Sequence, residues 1–179
     1  MFYYIEKTLR KIKTLYTKSY VKSAIKCKHN NFSVVGNITL INRNIILGEN
    51  VTIYPDVMFY GDGIIEIGNN VSIGNGTIIY SSSQAGGVHI GDNTLIAAQC
   101  YIIDTDHGTQ KSELIRNQTN ITEPVYIGSD VWLAAGVKVL RGAKICDHAV
   151  IGAQSVVKGE VDEYAIAVGV PAKTIKYRS

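Results

Sequence analysis

The chain is predicted to be an all-β parallel solenoid, because its apolar residues recur every six positions and two positions of that hexad stay apolar or small. Ile127, Leu133, Val139, Ile145, Ile151 and Val157 stand one hexad apart, while Val131, Val137, Ala143, Ala149, Ser155 and Val161 occupy the fifth place. Six residues accommodate a short strand and its turn, and three hexads close one triangular coil whose faces are parallel sheets. Side chains at the first and fifth places then point inward and stack from coil to coil at about 4.8 Å. The phase extends backwards through Val35, Ile41, Leu47, Ile53 and Phe59, through Ile67, Ile73 and Ile79, through Ile90, Ile96 and Ile102, and to Ile121. A β-sandwich would alternate with period two and space its strands unevenly.

Three segments follow in order. Residues 1–34 read as an N-terminal amphipathic helix and cap, because Phe2, Ile5, Leu9, Ile12, Tyr16, Tyr20 and Ile25 recur at helical spacing. Residues 35–166 form the coil, with slips at Gly61–Gly63 and at Gln84–Gly87, and a polar loop thrown out over residues 108–120. Loops of that length in a compact domain are usually functional. Within the coil, Gly48, Gly68, Gly74, Gly91, Gly128 and Gly152 hold the second place of their hexads and suit a tight corner. Residues 167–179 read as a short helical tail.

At 179 residues and 46% hydrophobic content the chain can bury a sizeable core. No apolar run approaches the roughly 20 residues of a membrane-spanning helix, and residues 1–12 lack the continuous apolar stretch of a cleavable signal, which points to the cytoplasm. The three cysteines, Cys27, Cys100 and Cys146, are widely separated and odd in number, against both a disulfide framework and a thiolate zinc site. Cys100 falls at a fifth place, where a small buried residue is expected. A net charge of +3 without a groove-reading motif excludes nucleic acid as the expected partner. Residues 1–28 nevertheless hold eight Lys and Arg against one acid, Glu6. That helix could cap the open end of the solenoid or rest on anionic lipid at the inner face of a membrane.

Chemistry is expected where the regular coil breaks, at Asp104, Thr105, Asp106 and His107. A histidine beside carboxylates can have one ring nitrogen held while the other takes a hydroxyl proton near neutral pH. Such a base suffices when the acyl donor is already activated, as in a thioester. Asp104 or Asp106 would orient the ring. Asn75, Tyr80, Ser82 and the residues around them are suited to a sugar acceptor. His89 stands 18 residues before His107, one coil away, so the two could share a corner. A metal site there lacks a third ligand, because His148 lies on another corner and His29 precedes the coil; His89 reads instead as bordering the acceptor pocket or the surface, and no metal is expected.

The hexads, the Asp104–His107 motif before the loop, Val131–Gly136, Ile151–Val157 and Val168–Lys176 together resemble the hexapeptide-repeat acetyltransferases. Among these the chain is most similar to the group containing galactoside, maltose and xenobiotic acetyltransferases and surface-polysaccharide O-acetyltransferases. The resemblance covers residues 35–178 and implies a left-handed parallel β-helix, a homotrimer with active sites between subunits, and acetyl-CoA as donor. His107 corresponds to the family's catalytic base. The resemblance further implies that the pantetheine arm passes Trp132, Ala135 and Ala153, with Ser155 and Lys158 along the same path and Lys173 and Lys176 facing the adenosine phosphates. Trp132 could equally pack at the subunit interface. The acceptor implied is a sugar hydroxyl of a bacterial surface polysaccharide or its precursor; a small acceptor such as serine, a galactoside or an amino sugar nucleotide, and a non-catalytic scaffold, are the alternatives.

Overall fold

The computed structural model describes residues 2–27, 31–82 and 86–179. Met1 and His29 lie outside these residues, as do Ser83, Gln84 and Ala85, which belong to the expected corner and acceptor set. One helix, α1 (Phe2–Ala24), leads into a parallel β-solenoid of three sheets. The first sheet stacks Lys26–Cys27, Ile45–Leu47, Ile65–Ile67, Val88–Ile90, Val125–Ile127, Lys144–Ile145 and Glu160–Val161. The second begins at Phe32–Val34 and ends at Ala165–Gly169, and the third runs from Thr39–Leu40 to Val156–Val157.

First-place side chains build three ladders through the interior, joined in the last coil of the first sheet by the fifth-place Val161, which pairs with Ile145. Leu47, Ile67, Ile90, Ile127, Ile145 and Val161 are in register on the first sheet. Ile53, Ile73, Ile96, Leu133 and Ile151 align on the second, and Phe59, Ile79, Ile102, Val139 and Val157 on the third. All are buried, and each stabilises by about 1.5–3 kcal/mol relative to an exposed side chain. Cys100 is buried among them, its thiol pKa raised by burial first of all.

The hexad phase departs from expectation at the first coil and at the loop. Val35 and Ile41 are exposed, and the buried residues are Val34 and Leu40, one position earlier. Val34 pairs with Ile53 and Leu40 with Phe59, so the register of the coil above decides the phase. Ile121 is also exposed, because it pairs antiparallel with Asp106 outside the coil.

The second-place glycines answer a different need from the one expected. The left-handed backbone at the corner between the first and second sheets is carried by Asn50, Asn70, Asn93, Asp130, His148 and Tyr164, with φ between 53° and 62°. Gly48 and its equivalents allow close stacking: a Cβ on Gly48 would lie 2.5 Å from the carbonyl oxygen of Gly68. Amide side chains continue the stack, Asn50 donating to Asn70 and Asn70 to Asn93, each at 3.0 Å. Further along, Asp130 accepts from Arg178 and meets His148 Nδ1, both at 2.9 Å. Those two hydrogen bonds, His148's first, hold the Asp130 carboxyl below its ordinary pKa.

Both ends correct the sequence reading. The tail is a strand, not a helix: Ala172–Tyr177 turns back antiparallel on Ala165–Gly169, with a register shift at Ile166/Ala167. Its backbone pairs with the last coil, which covers that strand edge. At the other end the buried contact with the coil is made by Thr17 and Val21 of α1 and by Ile25 just after it, with Lys18 Nζ 5.1 Å from the Phe32 ring centre, while Glu6, Leu9, Lys13 and Thr14 face Val35–Asn37, Pro55 and Asp56 across an open cleft. The apolar stripe expected to pack there, Ile5, Leu9, Ile12, Tyr16 and Tyr20, is exposed. The first strands of the solenoid, Lys26–Cys27 and Phe32–Val34, precede residue 35, and Ala165–Gly169 runs past residue 166.

Gly48→Ala should lower stability by about 1–3 kcal/mol, since the obstructing atom is backbone and cannot turn aside. A thermal melt should register a fall of roughly 2–4 °C per kcal/mol for a chain of this length.

Candidate active site

The chain leaves the third sheet after Tyr101–Ile103 through a neck of two short antiparallel strands, Thr105–Asp106 and Ile121–Thr122. Asp104 anchors the exit. It is fully buried, one carboxylate oxygen accepting from Ser81 Oγ at 2.8 Å and Gly87 N at 3.0 Å, the other from Ser82 N at 2.9 Å. Three donors meet one buried charge, which offsets the cost of taking it out of water. Asp106 is held from outside by Arg141 Nε at 2.9 Å, and Arg141 Nη1 also donates to Glu123. These acids raise the guanidinium pKa further, the Asp106 hydrogen bond being the largest cause. Gln118 ties the loop beyond: Oε1 accepts from Gln110 N at 2.8 Å, while Nε2 donates to the carbonyls of Gln110 and Glu113.

His107 is displayed at the top of this neck, exposed, on a cleft of about 360 Å³ that Tyr80, Tyr101, Ile103, Thr105, Asp106 and Asn120 also line. Among the described residues its imidazole has no hydrogen-bond or ion-pair partner within the chain. Asp104 and Asp106 do not bond to it within this chain, contrary to expectation; both are engaged elsewhere, one by Ser81, Ser82 and Gly87 and one by Arg141. Tyr80 stacks on Tyr60 with centroids 5.1 Å apart. Burial, the larger cause in each, raises the Tyr80 and Tyr101 pKa values, so both phenols keep their protons at neutral pH. Ser82, whose backbone N–H donates to Asp104, has a buried hydroxyl with no hydrogen-bond partner among the described residues.

The remaining expected residues fall into separate places. Ala135 and Ala153 are exposed and stacked at the corner between the second and third sheets, where Gln154 N donates to the Ala135 carbonyl at 2.9 Å. Ala98 and Asn75 continue that column below, through bonds of 2.9 Å from Gly136 N and Gln99 N to their carbonyls. Asn75 thus joins the alanine corner, its amide donating to Pro55 O at 3.0 Å, rather than the His107 cleft. Trp132 is exposed on the second sheet between Leu95 and Val150, and Lys158 is exposed just beyond the last strand of the third. Ser155 is a correction: it is buried, and its Oγ accepts from Gly169 N at 2.9 Å, fixing the terminal hairpin. Lys173 and Lys176 are exposed on the last strand. Strand alternation would place them on opposite sides, and the register shift between them returns them to one.

His89 and His107 do not share a corner. Tyr126 takes the position above His89, because the chain spends the intervening residues on the neck and loop. His89 Nδ1 lies 2.9 Å from Glu66, and its ring stacks on Tyr126 in a first-sheet groove of about 690 Å³. No group of three or more His, Cys, Asp or Glu that could hold a metal is formed among the described residues. Tyr101, Asn120 and Ala98 were missed by sequence reasoning. Ala98 had a signal, since it occupies the same third place of its hexad as Ala135 and Ala153.

Residues 124–159 match the family model described as bacterial transferase hexapeptide (six repeats). In that segment and in its fold the chain is similar to the hexapeptide-repeat acetyltransferases. It is 38% identical over 122 residues to an Escherichia coli K12 protein named for O-acetyl transfer in lipopolysaccharide biosynthesis, covering 64% of this chain and 61% of that one. A galactoside acetyltransferase solved with coenzyme A superposes with a TM-score of 0.64 at 27% identity, over 89% of this chain and 68% of that one. The Bacillus cereus N-acyltransferase AntD, solved with dTDP and 3-hydroxybutyryl-CoA, shares the fold at a TM-score of 0.71 and 23% identity, over 97% of this chain and 88% of that one. The chain spans between 38% and 61% of the length of three curated relatives it matches.

Asp104→Asn should act on the corner rather than on the imidazole. An amide nitrogen replaces one accepting oxygen, so at least one buried donor loses its acceptor, at a cost of about 1–3 kcal/mol. Urea denaturation should show that loss, with the slope of the transition unchanged.

Proposed function

We propose that this chain is an acetyl-CoA-dependent O-acetyltransferase whose acceptor is a sugar hydroxyl of a bacterial surface polysaccharide or its precursor. The observation that carries the reading is the exposed, unpartnered imidazole of His107 on a cleft walled by Tyr80 and Tyr101. An imidazole in that setting is available to take the acceptor hydroxyl's proton as its oxygen attacks the thioester carbonyl, and to return the proton to the departing thiolate. Tyrosine rings pack against the C–H face of a pyranose, and protonated phenols can donate to its hydroxyls. The lipopolysaccharide and galactoside relatives favour a sugar over other acceptors.

The donor fits the alanine corner. Ala98, Ala135 and Ala153 leave a shallow column on which a thin pantetheine arm could approach the backbone, with Trp132 and Lys158 on the faces to either side. Lys173 and Lys176 on one side of the terminal hairpin would meet the adenosine phosphates. The His107 cleft is open, and His107 has no intrachain partner among the described residues, so a homotrimer in which a neighbouring subunit completes the site accords with both observations. His89, in its own groove on the first sheet, would then border the acceptor from the neighbouring subunit. The reaction is assigned to the cytoplasm, where the donor is made; among the described residues no helix is long and apolar enough to cross a membrane.

His107→Ala should reduce kcat for acetyl transfer by roughly 10²–10⁴-fold with little change in the KM for acetyl-CoA. Turnover within a few-fold of the parent in a coupled thiol assay would remove His107 from the role of base. Reversing charge at Lys173 and Lys176 together should do the opposite, raising the KM for acetyl-CoA, flattening its dependence on salt and leaving kcat nearly unchanged.

A further inference from the structure

The apolar stripe of α1 is the largest feature of the molecule that neither the fold nor the proposed site uses. Ile5, Leu9, Ile12, Tyr16 and Tyr20 follow one another at i, i+4, i+7, i+11 and i+15, a single line at 3.6 residues per turn. Their exposures are 49%, 60%, 58%, 75% and 36%. The contact with the coil is made by Thr17, Val21 and Ile25, roughly a third of a turn around the helix. Nearer its N-terminus α1 faces Val35–Asn37, Pro55 and Asp56 across an open cleft of about 470 Å³ that Leu9 borders, and the stripe residues stay exposed despite both contacts because they lie on a different face from Thr17, Val21 and Ile25.

Charge decides what covers it. The helix contains Lys7, Arg10, Lys11, Lys13, Lys18 and Lys22 against Glu6 alone. A second copy laid against the stripe would bring another strongly cationic helix alongside and meet like-charge repulsion. An anionic lipid surface meets both features at once: aliphatic and tyrosine side chains enter the boundary between headgroups and acyl chains, while lysines engage phosphates. Tyrosine suits that boundary, being apolar along the ring and polar at the tip. No described helix is apolar enough to span a bilayer, so the contact is one of lying on the surface.

We propose that the exposed stripe of α1 is a docking surface for an anionic membrane, on which the helix lies in the plane of the headgroups with the solenoid suspended from its C-terminal end. The proposal does not depend on the identity of the acceptor, although a membrane-anchored acceptor would be brought to the enzyme by it.

The test uses the full chain and vesicles of phosphatidylcholine with or without phosphatidylglycerol. At low salt the protein should sediment with phosphatidylglycerol vesicles, remain in solution with phosphatidylcholine alone, and be released as salt is raised. Replacing Leu9, Ile12 and Tyr16 by Ser, all more than half exposed, should weaken partitioning by about tenfold or more. The melting temperature should stay unchanged, showing that the variant folds. Lys7→Gln with Lys11→Gln should weaken partitioning about fivefold for each charge removed, and neither variant should alter acetyl transfer to a soluble acceptor. Failure of the parent protein to bind phosphatidylglycerol vesicles at low salt overturns the proposal. So does binding that survives loss of the stripe, or a fall in particle mass in the triple variant, which would assign the stripe to contacts between copies.

Discussion

Coil-to-coil stacking at the spacing of hydrogen-bonded strands governs this molecule. Strands at about 4.8 Å leave the interior no freedom to accommodate a bulky or charged side chain, because every inward position is roofed and floored by its own counterpart. The ladders from Leu47 to Val161 and from Ile53 to Ile151 are the positive expression of that constraint. Gly48, Gly68, Gly91 and Gly128 are its negative expression, places where even a Cβ would intrude on the next coil. Stability in such a stack accumulates from neighbour to neighbour, so a disturbance is felt by the coils beside it more than by the distant end.

Function is placed where the stack is interrupted. Asp104 turns from a strand residue into an anchor, taking three donors from the corner of the coil below, and the neck it secures carries His107 out to the cleft. The extrusion costs little chain entropy, since loop closure grows only slowly with length, and the loop is further ordered by Gln118. Rigidity below and openness above suit the role of base proposed for His107. The same stacking that forms the core sets Ala98, Ala135 and Ala153 in a column on the outside, so the core and this outer column share one period.

The two ends of the solenoid are closed in different ways. At the C-terminus the edge is paired by the returning strand Ala172–Tyr177, and Arg178 clasps Asp130 and the His148 carbonyl. At the N-terminus α1 buries only side chains of its last turns against the first coil, and its longer apolar line stays exposed. A paired backbone edge is satisfied by the chain alone. An exposed apolar line is not, and this difference is what the proposed membrane contact of α1 rests on.

The hexad period was legible in the sequence because inward side chains in a stacked coil must repeat, and with it came the ladders, the buried Cys100, the extruded loop and the position of His107 at its root. The alanine column could be read for Ala135 and Ala153, and Ala98 lay at the same place in its hexad. What the period could not express was decided in three dimensions. Val34 and Leu40 rather than Val35 and Ile41 face inward because the first coil must follow the register of the one above it. Asp104 and Asp106 flank His107 in sequence yet bond to Ser81, Gly87 and Arg141, since partners are chosen by distance across coils and not along the chain. His89 lost its apparent partner to Tyr126 because a loop removes residues from the count without removing a coil from the stack. Helical spacing identified the apolar line of α1 correctly but not its direction, because periodicity specifies that side chains share a face, and only packing against the rest of the molecule specifies where that face is turned.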